Sequence, residues 1–185
     1  LPLPLWARMA AGGLAVGALS VVNPEVWGNG YSVVNSMLHT QWAWQAVAAI
    51  LLLKTLATAA SVGSGAVGGV FTPTLFVGAA LGALYGTGLQ ALFPAGDLSA
   101  ASSYAIVGMG ALLAATTYAP LMSILMIFEM TLSYEVMLPL MLACVTGYVI
   151  AHRIRPDSVY AKSLASNRRA RLAAAGESEE EKPVS

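Results

Sequence analysis

The sequence predicts an all-α integral membrane bundle, and three observations carry that prediction. The 185 residues are 57% hydrophobic and only 10% charged, with a mean hydropathy of +0.71. Soluble domains usually carry about 25% charged residues. Between Thr55 and His152 the only charges are Asp97, Glu129 and Glu135, so long apolar runs are nearly uninterrupted. Several of these runs are short and broken by glycine or proline. That pattern belongs to discontinuous helices, which set backbone polar groups around a substrate at membrane depth.

The elements follow in order. Leu3–Val22 is an apolar segment with Gly12, Gly13 and Gly17. It carries Arg8 and no small-residue cleavage site, so it reads as a membrane helix rather than a signal peptide. The chain begins at Leu1 rather than Met, which suggests a fragment or a processed chain. Asn23-Pro24 closes the segment, and Pro24–Tyr31 is a loop with Gly28 and Gly30. Ser32–His39 is a short helix, and Trp42–Ser61 a long apolar one. Trp42 and Trp44 suit a membrane interface.

Next comes Gly63–Pro73, read G-S-G-A-V-G-G-V-F-T-P. It feeds the apolar helix Phe71–Phe93, which Pro94 closes. Asp97–Ala101 is a polar turn, Ser102–Thr117 a fourth helix and Pro120–Thr131 a shorter fifth. Glu135–Ile150 is the last apolar helix, and basic residues begin at Arg153. A simple spanning helix needs about 20 apolar residues, so Ser102–Thr117 and Pro120–Thr131 are short for independent crossings. Residues 1–156 form the transmembrane region, 157–173 a C-terminal helix and 174–185 a disordered polar tail. The basic cluster from Arg153 to Arg171 places that end in the cytoplasm.

Small residues are spaced for packing. Gly78, Gly82 and Gly86 recur every four positions and give one smooth helix face, and Gly108 and Gly110 read the same way. The methionines from Met109 to Met141 read as packing fillers, since no His or Cys joins them at ligand spacing. Cys144 is the single cysteine, so the chain can form no internal disulfide. No metal site and no catalytic cluster is legible, because His39 and His152 lack Cys or carboxylate partners. A small soluble enzyme and a nucleic-acid binder are excluded on these grounds.

The glycine-rich loop carries the chemistry. Its glycines let the backbone turn sharply and approach a bound group. It then presents the first amides of the next helix, at Val70 and Phe71, without intrahelical partners. Pro73 falls in the first turn, where its missing N–H costs nothing. Free amides at a positive helix end make an anion site. On the loop alone, anion binding and simple close packing both stay open. Tyr160 is a candidate second donor, or else a member of the interfacial aromatic belt.

Gly68–Pro73, G-G-V-F-T-P, resembles the G-x-F-x-P anion-binding motif of the CLC chloride channels and proton-coupled chloride transporters. Pro24–Tyr31 is similar to that family's P-x-x-x-G-x-G-Y loop. Gly108–Ala115, G-M-G-A-L-L-A-A, resembles its G-M-A/G-A-x-x-A segment, and Ala119–Thr131 its A-P-L-T…E-M-T run. D-S-V-Y at Asp157–Tyr160 is similar to the segment with the family's chloride-coordinating tyrosine.

The resemblance implies a CLC-type bundle of long tilted and short broken helices, the C-terminal half of an inverted-repeat fold. It implies chloride transport, as a channel or a chloride/proton antiporter, with no cofactor and no enzymatic activity. The Val70 and Phe71 amides would bind the anion, Tyr160 would donate its hydroxyl, and Gly68, Gly69 and Pro73 would shape the loop. Glu129 would be a structural intramembrane carboxylate, bonding amides of a neighbouring helix. A homodimer would form through 120–131 and 135–150, in a bacterial inner membrane. The family's other half supplies G-S-G-x-P and G-[KR]-E-G-P, and neither is found here. The chain therefore reads as an incomplete fragment, with a non-transporting assembly or dimerisation module as the alternative. Channel and exchanger are not separable without that half.

Overall fold

A computed structural model describes residues 5–22, 25, 28, 30–40, 42–64, 69, 71–94 and 98–155. The described residues form seven α-helices and no strand. They are α1 (Leu5–Val22), α2 (Tyr31–His39), α3 (Trp44–Gly63), α4 (Phe71–Leu92), α5 (Ala101–Thr117), α6 (Pro120–Thr131) and α7 (Met137–Ile154). A 3-10 turn, Tyr134–Val136, leads into α7. The helices expected between Leu3 and Ile150 are all present, with bounds moved by a few residues at most. The expected C-terminal helix 157–173 and tail 174–185 lie outside the described residues.

Three helices are long and apolar enough to cross a membrane: Trp44–Gly63, Phe71–Leu92 and Tyr134–Ile154. The apolar stretch Trp6–Val21 is shorter, as are α5 and α6. The span of α4 is 44% buried inside the fold and that of Tyr134–Ile154 only 17%, so α4 is central and α7 peripheral. Leu121, Leu125, Leu138, Leu142 and Val145 stand exposed on α6 and α7. In water such a surface would aggregate; in lipid, or against another subunit, it is ordinary.

The α4–α5 pair is built on glycine. A Cβ added at Gly78 would lie 2.6 Å from the Gly108 carbonyl oxygen and 2.8 Å from the Met109 Cα. One at Gly82 would collide with the Tyr104 carbonyl, and one at Gly86 would meet the Tyr104 ring at 2.6 Å. The four-residue spacing thus makes a groove that receives the backbone of α5. On its other side α5 meets α7, where a Cβ at Gly147 would come within 2.8 Å of the Ala111 oxygen. Ile106, Met109, Leu113, Ile127, Leu140 and Cys144 fill the core between these helices. Cys144 is packed rather than lipid-facing, with no exposed area.

The helix ends explain the topology. Tyr118 and Leu132 end α5 and α6 in the left-handed region, with φ of 60° and 49°. Both are uncommon for bulky residues. The backbone N–H of each still donates to a carbonyl of the preceding turn, Ala114 and Phe128 respectively. Pro120 then starts α6 at its first position, where proline fits. The end of α3 is held by Arg8, whose guanidinium donates to the Gly63 carbonyl at 3.1 Å. A cation at a helix C-terminus is favourable there, which accounts for an arginine in the otherwise apolar α1.

A candidate anion site at the first turn of helix α4

The site predicted from sequence begins where α4 begins. Phe71 is the first helical residue and Pro73 lies in the first turn. That turn contains no acidic side chain. Gly69 is exposed, with open space around a Cβ among the described residues. Gly68, Val70 and Tyr160 lie outside the described residues. The structure therefore places Phe71, Gly69 and Pro73 together and says nothing of the other three.

An open, almost wholly apolar hollow of about 420 Å³ lies against this turn. Pro73, Thr74 and Val77 of α4 line one side, and Lys54, Thr58 and Val62 of α3 the other. Lys54 is the part of this region that spacing and motif did not single out. From sequence it registers only as one of two basic residues before Arg153. The available signal was an ionisable residue in the middle of an apolar span, which is costly and often functional.

Lys54 is buried, 6% exposed, and its Nζ donates a 2.7 Å hydrogen bond to the Gly28 carbonyl. The same Nζ lies 5.9 Å from the centre of the Phe76 ring in α4, within cation–π range. Gly30 sits beside them at a φ of 74° and caps α2. A Cβ there would stand 3.1 Å from Phe76 and 3.3 Å from the Lys54 Cε. Gly30 of the Pro24–Tyr31 loop thus has a local cause. Gly30 needs both a left-handed backbone and room for the Lys54–Phe76 contact.

Glu129 is exposed on α6, alongside Met122 and Leu125. Among the described residues it receives no hydrogen bond. A second cavity, of about 290 Å³, lies between α2, α4 and the start of α5. Its polar groups are largely engaged: Trp42 donates to Ser36, Gln90 to the Ser99 carbonyl, and His39 bonds the Asn35 carbonyl. It offers few directed contacts to a ligand. The described residues contain no group of His, Cys, Asp or Glu that could hold a metal.

Residues 1–152 match the voltage-gated chloride channel family. The chain belongs to that family. A ClcB-like protein of Ralstonia nicotianae is 71% identical over 166 residues, which are 90% of this chain and 38% of the relative. The voltage-gated ClC-type chloride channel ClcB of Escherichia coli is 49% identical over 164 residues, covering 89% and 39%. The chain therefore spans about two fifths of the length of these family members. Its fold is similar to that of a slow cyanobacterial Cl−/H+ antiporter, with a TM-score of 0.66 at 25% identity. That likeness covers 88% of this chain and 47% of the antiporter chain. The all-helical CLC-type fold expected from the motifs is thus the fold found.

Proposed function

We propose that the chain is part of a chloride-transporting membrane protein, a channel or a chloride/proton antiporter, in which the start of α4 forms one wall of the anion site. The observation that carries this reading is the family match over residues 1–152, which takes in the whole glycine-rich loop. Names given to its relatives, a chloride channel and a Cl−/H+ antiporter, support chloride as the transported ion. The chain is not an enzyme in this reading and uses no cofactor. Its contribution is electrostatic: amides of Val70 and Phe71 and the hydroxyl of Tyr160 replace part of chloride's hydration shell. A site made of dipoles alone holds the ion without trapping it. The remaining wall and the gating residues belong to the rest of the protein.

The subunit pairs through α6 and the 135–150 stretch. Support comes from the exposed Leu121, Leu125, Leu138 and Leu142, which form an apolar face on the peripheral helices. Glu129 lies exposed on the same helix. Arg153 and Arg155 follow the last span directly, so the C-terminus faces the cytoplasm of a bacterial inner membrane.

The test is chloride efflux from liposomes holding the full-length protein. Efflux above that of empty vesicles is expected. Folded, dimeric protein with no efflux would overturn the transport reading and favour an assembly module.

A further inference from the structure

The end of one helix lies beside the start of another at the proposed anion site. α3 ends at Gly63, and its last turn brings Val62 to the hollow that Pro73 and Thr74 of the first turn of α4 also line. The C-terminal end of a helix carries about half a negative charge and the N-terminal end about half a positive one. An anion at the start of α4 is therefore attracted by its own helix and repelled by the end of α3.

Arg8 sits on that negative end. It stands one turn before Gly12 on the same face of α1. Gly12 lets α1 come close: a Cβ there would fall 2.4 Å from the Ser64 Cβ and 3.3 Å from the Ala60 carbonyl oxygen. The carbonyls of the last turn of α3 have separate donors. The Ser64 N–H serves Ala60, the Ser64 hydroxyl serves Ser61, and the Arg8 guanidinium serves Gly63 at 3.1 Å. Of these donors only the guanidinium is charged. Arg8 is exposed and pairs with no carboxylate among the described residues. A neutral donor would also satisfy the Gly63 carbonyl, so the hydrogen bond alone does not call for a cation in an apolar helix.

We infer that Arg8 sets anion affinity by its charge: it cancels the negative end of α3, which lies across the hollow from an anion held at the start of α4. The inference rests on the proposed anion site at α4. Arg8 touches no ion and acts through space. A unit charge about 10 Å from the ion, the scale of the hollow, changes affinity about fifteenfold at an effective dielectric of about 20. Exposure and salt lower this to about three- to tenfold.

The test is chloride affinity of the full-length protein by calorimetry, with folding read by thermal melting. Arg8→Gln keeps an N–H donor and drops the charge, and should weaken chloride binding about three- to tenfold. Arg8→Lys keeps the charge and should stay within about twofold of the parent. Should Arg8→Gln fail to fold, Ser61 gives the same answer from α3. Ser61→Asp adds a negative charge to that helix end and should weaken binding, while Ser61→Asn should not. Equal losses in Arg8→Gln and Arg8→Lys, no loss in Arg8→Gln, or equal behaviour of the two Ser61 variants would overturn the charge role alone. Folded parent protein that binds no chloride would instead remove the anion site, and the inference with it.

Discussion

The ammonium of Lys54 in α3 is bound to the carbonyl of Gly28, 26 residues earlier, at 2.7 Å. This bond anchors the glycine loop that opens α2 to a helix at membrane depth, beside Phe76 of α4. Removing the ammonium should loosen the loop more than the bundle. Lys54→Met is expected to speed hydrogen exchange at Val33 and Val34, in the first turn of α2. Exchange in α4 and α5 should stay as it was. Equal changes everywhere would mean that Lys54 supports the global fold instead.

The glycine groove of α4 gives a prediction with an internal control. Gly82→Ala drives a methyl into the Tyr104 backbone, which has no rotamer to move. Overpacking usually costs about 1–3 kcal/mol, and a backbone obstacle places this variant near the top of that range. Gly88 lies on the same helix with open space around a Cβ. Gly88→Ala should therefore change stability by no more than about 1 kcal/mol, the scale of helix propensity. Thermal melting of both variants in one detergent reads the difference.

Cys144 has no exposed area and packs near Gly110, where a Cβ would lie 3.0 Å from its sulfur. The thiol should resist a maleimide reagent in the folded protein and react fully once the chain is unfolded. Fast labelling under native conditions would show that α5 and α7 separate readily. The single cysteine makes the readout unambiguous for this chain.

The anion donors proposed at α4 are backbone groups. Phe71→Leu keeps the helix start and the amide, so chloride affinity should shift by less than about 0.5 kcal/mol. Calorimetry on the full-length protein checks this. A larger loss would mean that the Phe71 ring, rather than its N–H, faces the ion.

Much of this fold was legible because its signals are local. Proline and glycine punctuate the apolar runs, so the helix order from Tyr31 to Ile154 follows from the sequence. The Gly78–Gly82–Gly86 spacing pointed to a close helix contact, and the structure supplies its partner in Gly108 and Tyr104. Long-range pairings were not legible. Nothing in the run around Lys54 names Gly28 as its acceptor, and nothing around Arg8 names Gly63. Such bonds depend on how helices cross, which no single segment encodes. At the site, the motif identified the start of α4, while the hollow beside it depends on the side chains of α3. The left-handed ends at Tyr118 and Leu132 also went unread, because neither is a glycine or asparagine.

The glycine contacts between α4 and α5 have a mechanical consequence. Two helices seated backbone against backbone at Gly78 and Gly82 cannot slide or roll there without a collision. The helix that opens at the proposed anion site is thereby bolted to the centre of the subunit. Under the proposed transport reading, α4 would then be a fixed element, and any movement would fall to parts not seated against α5.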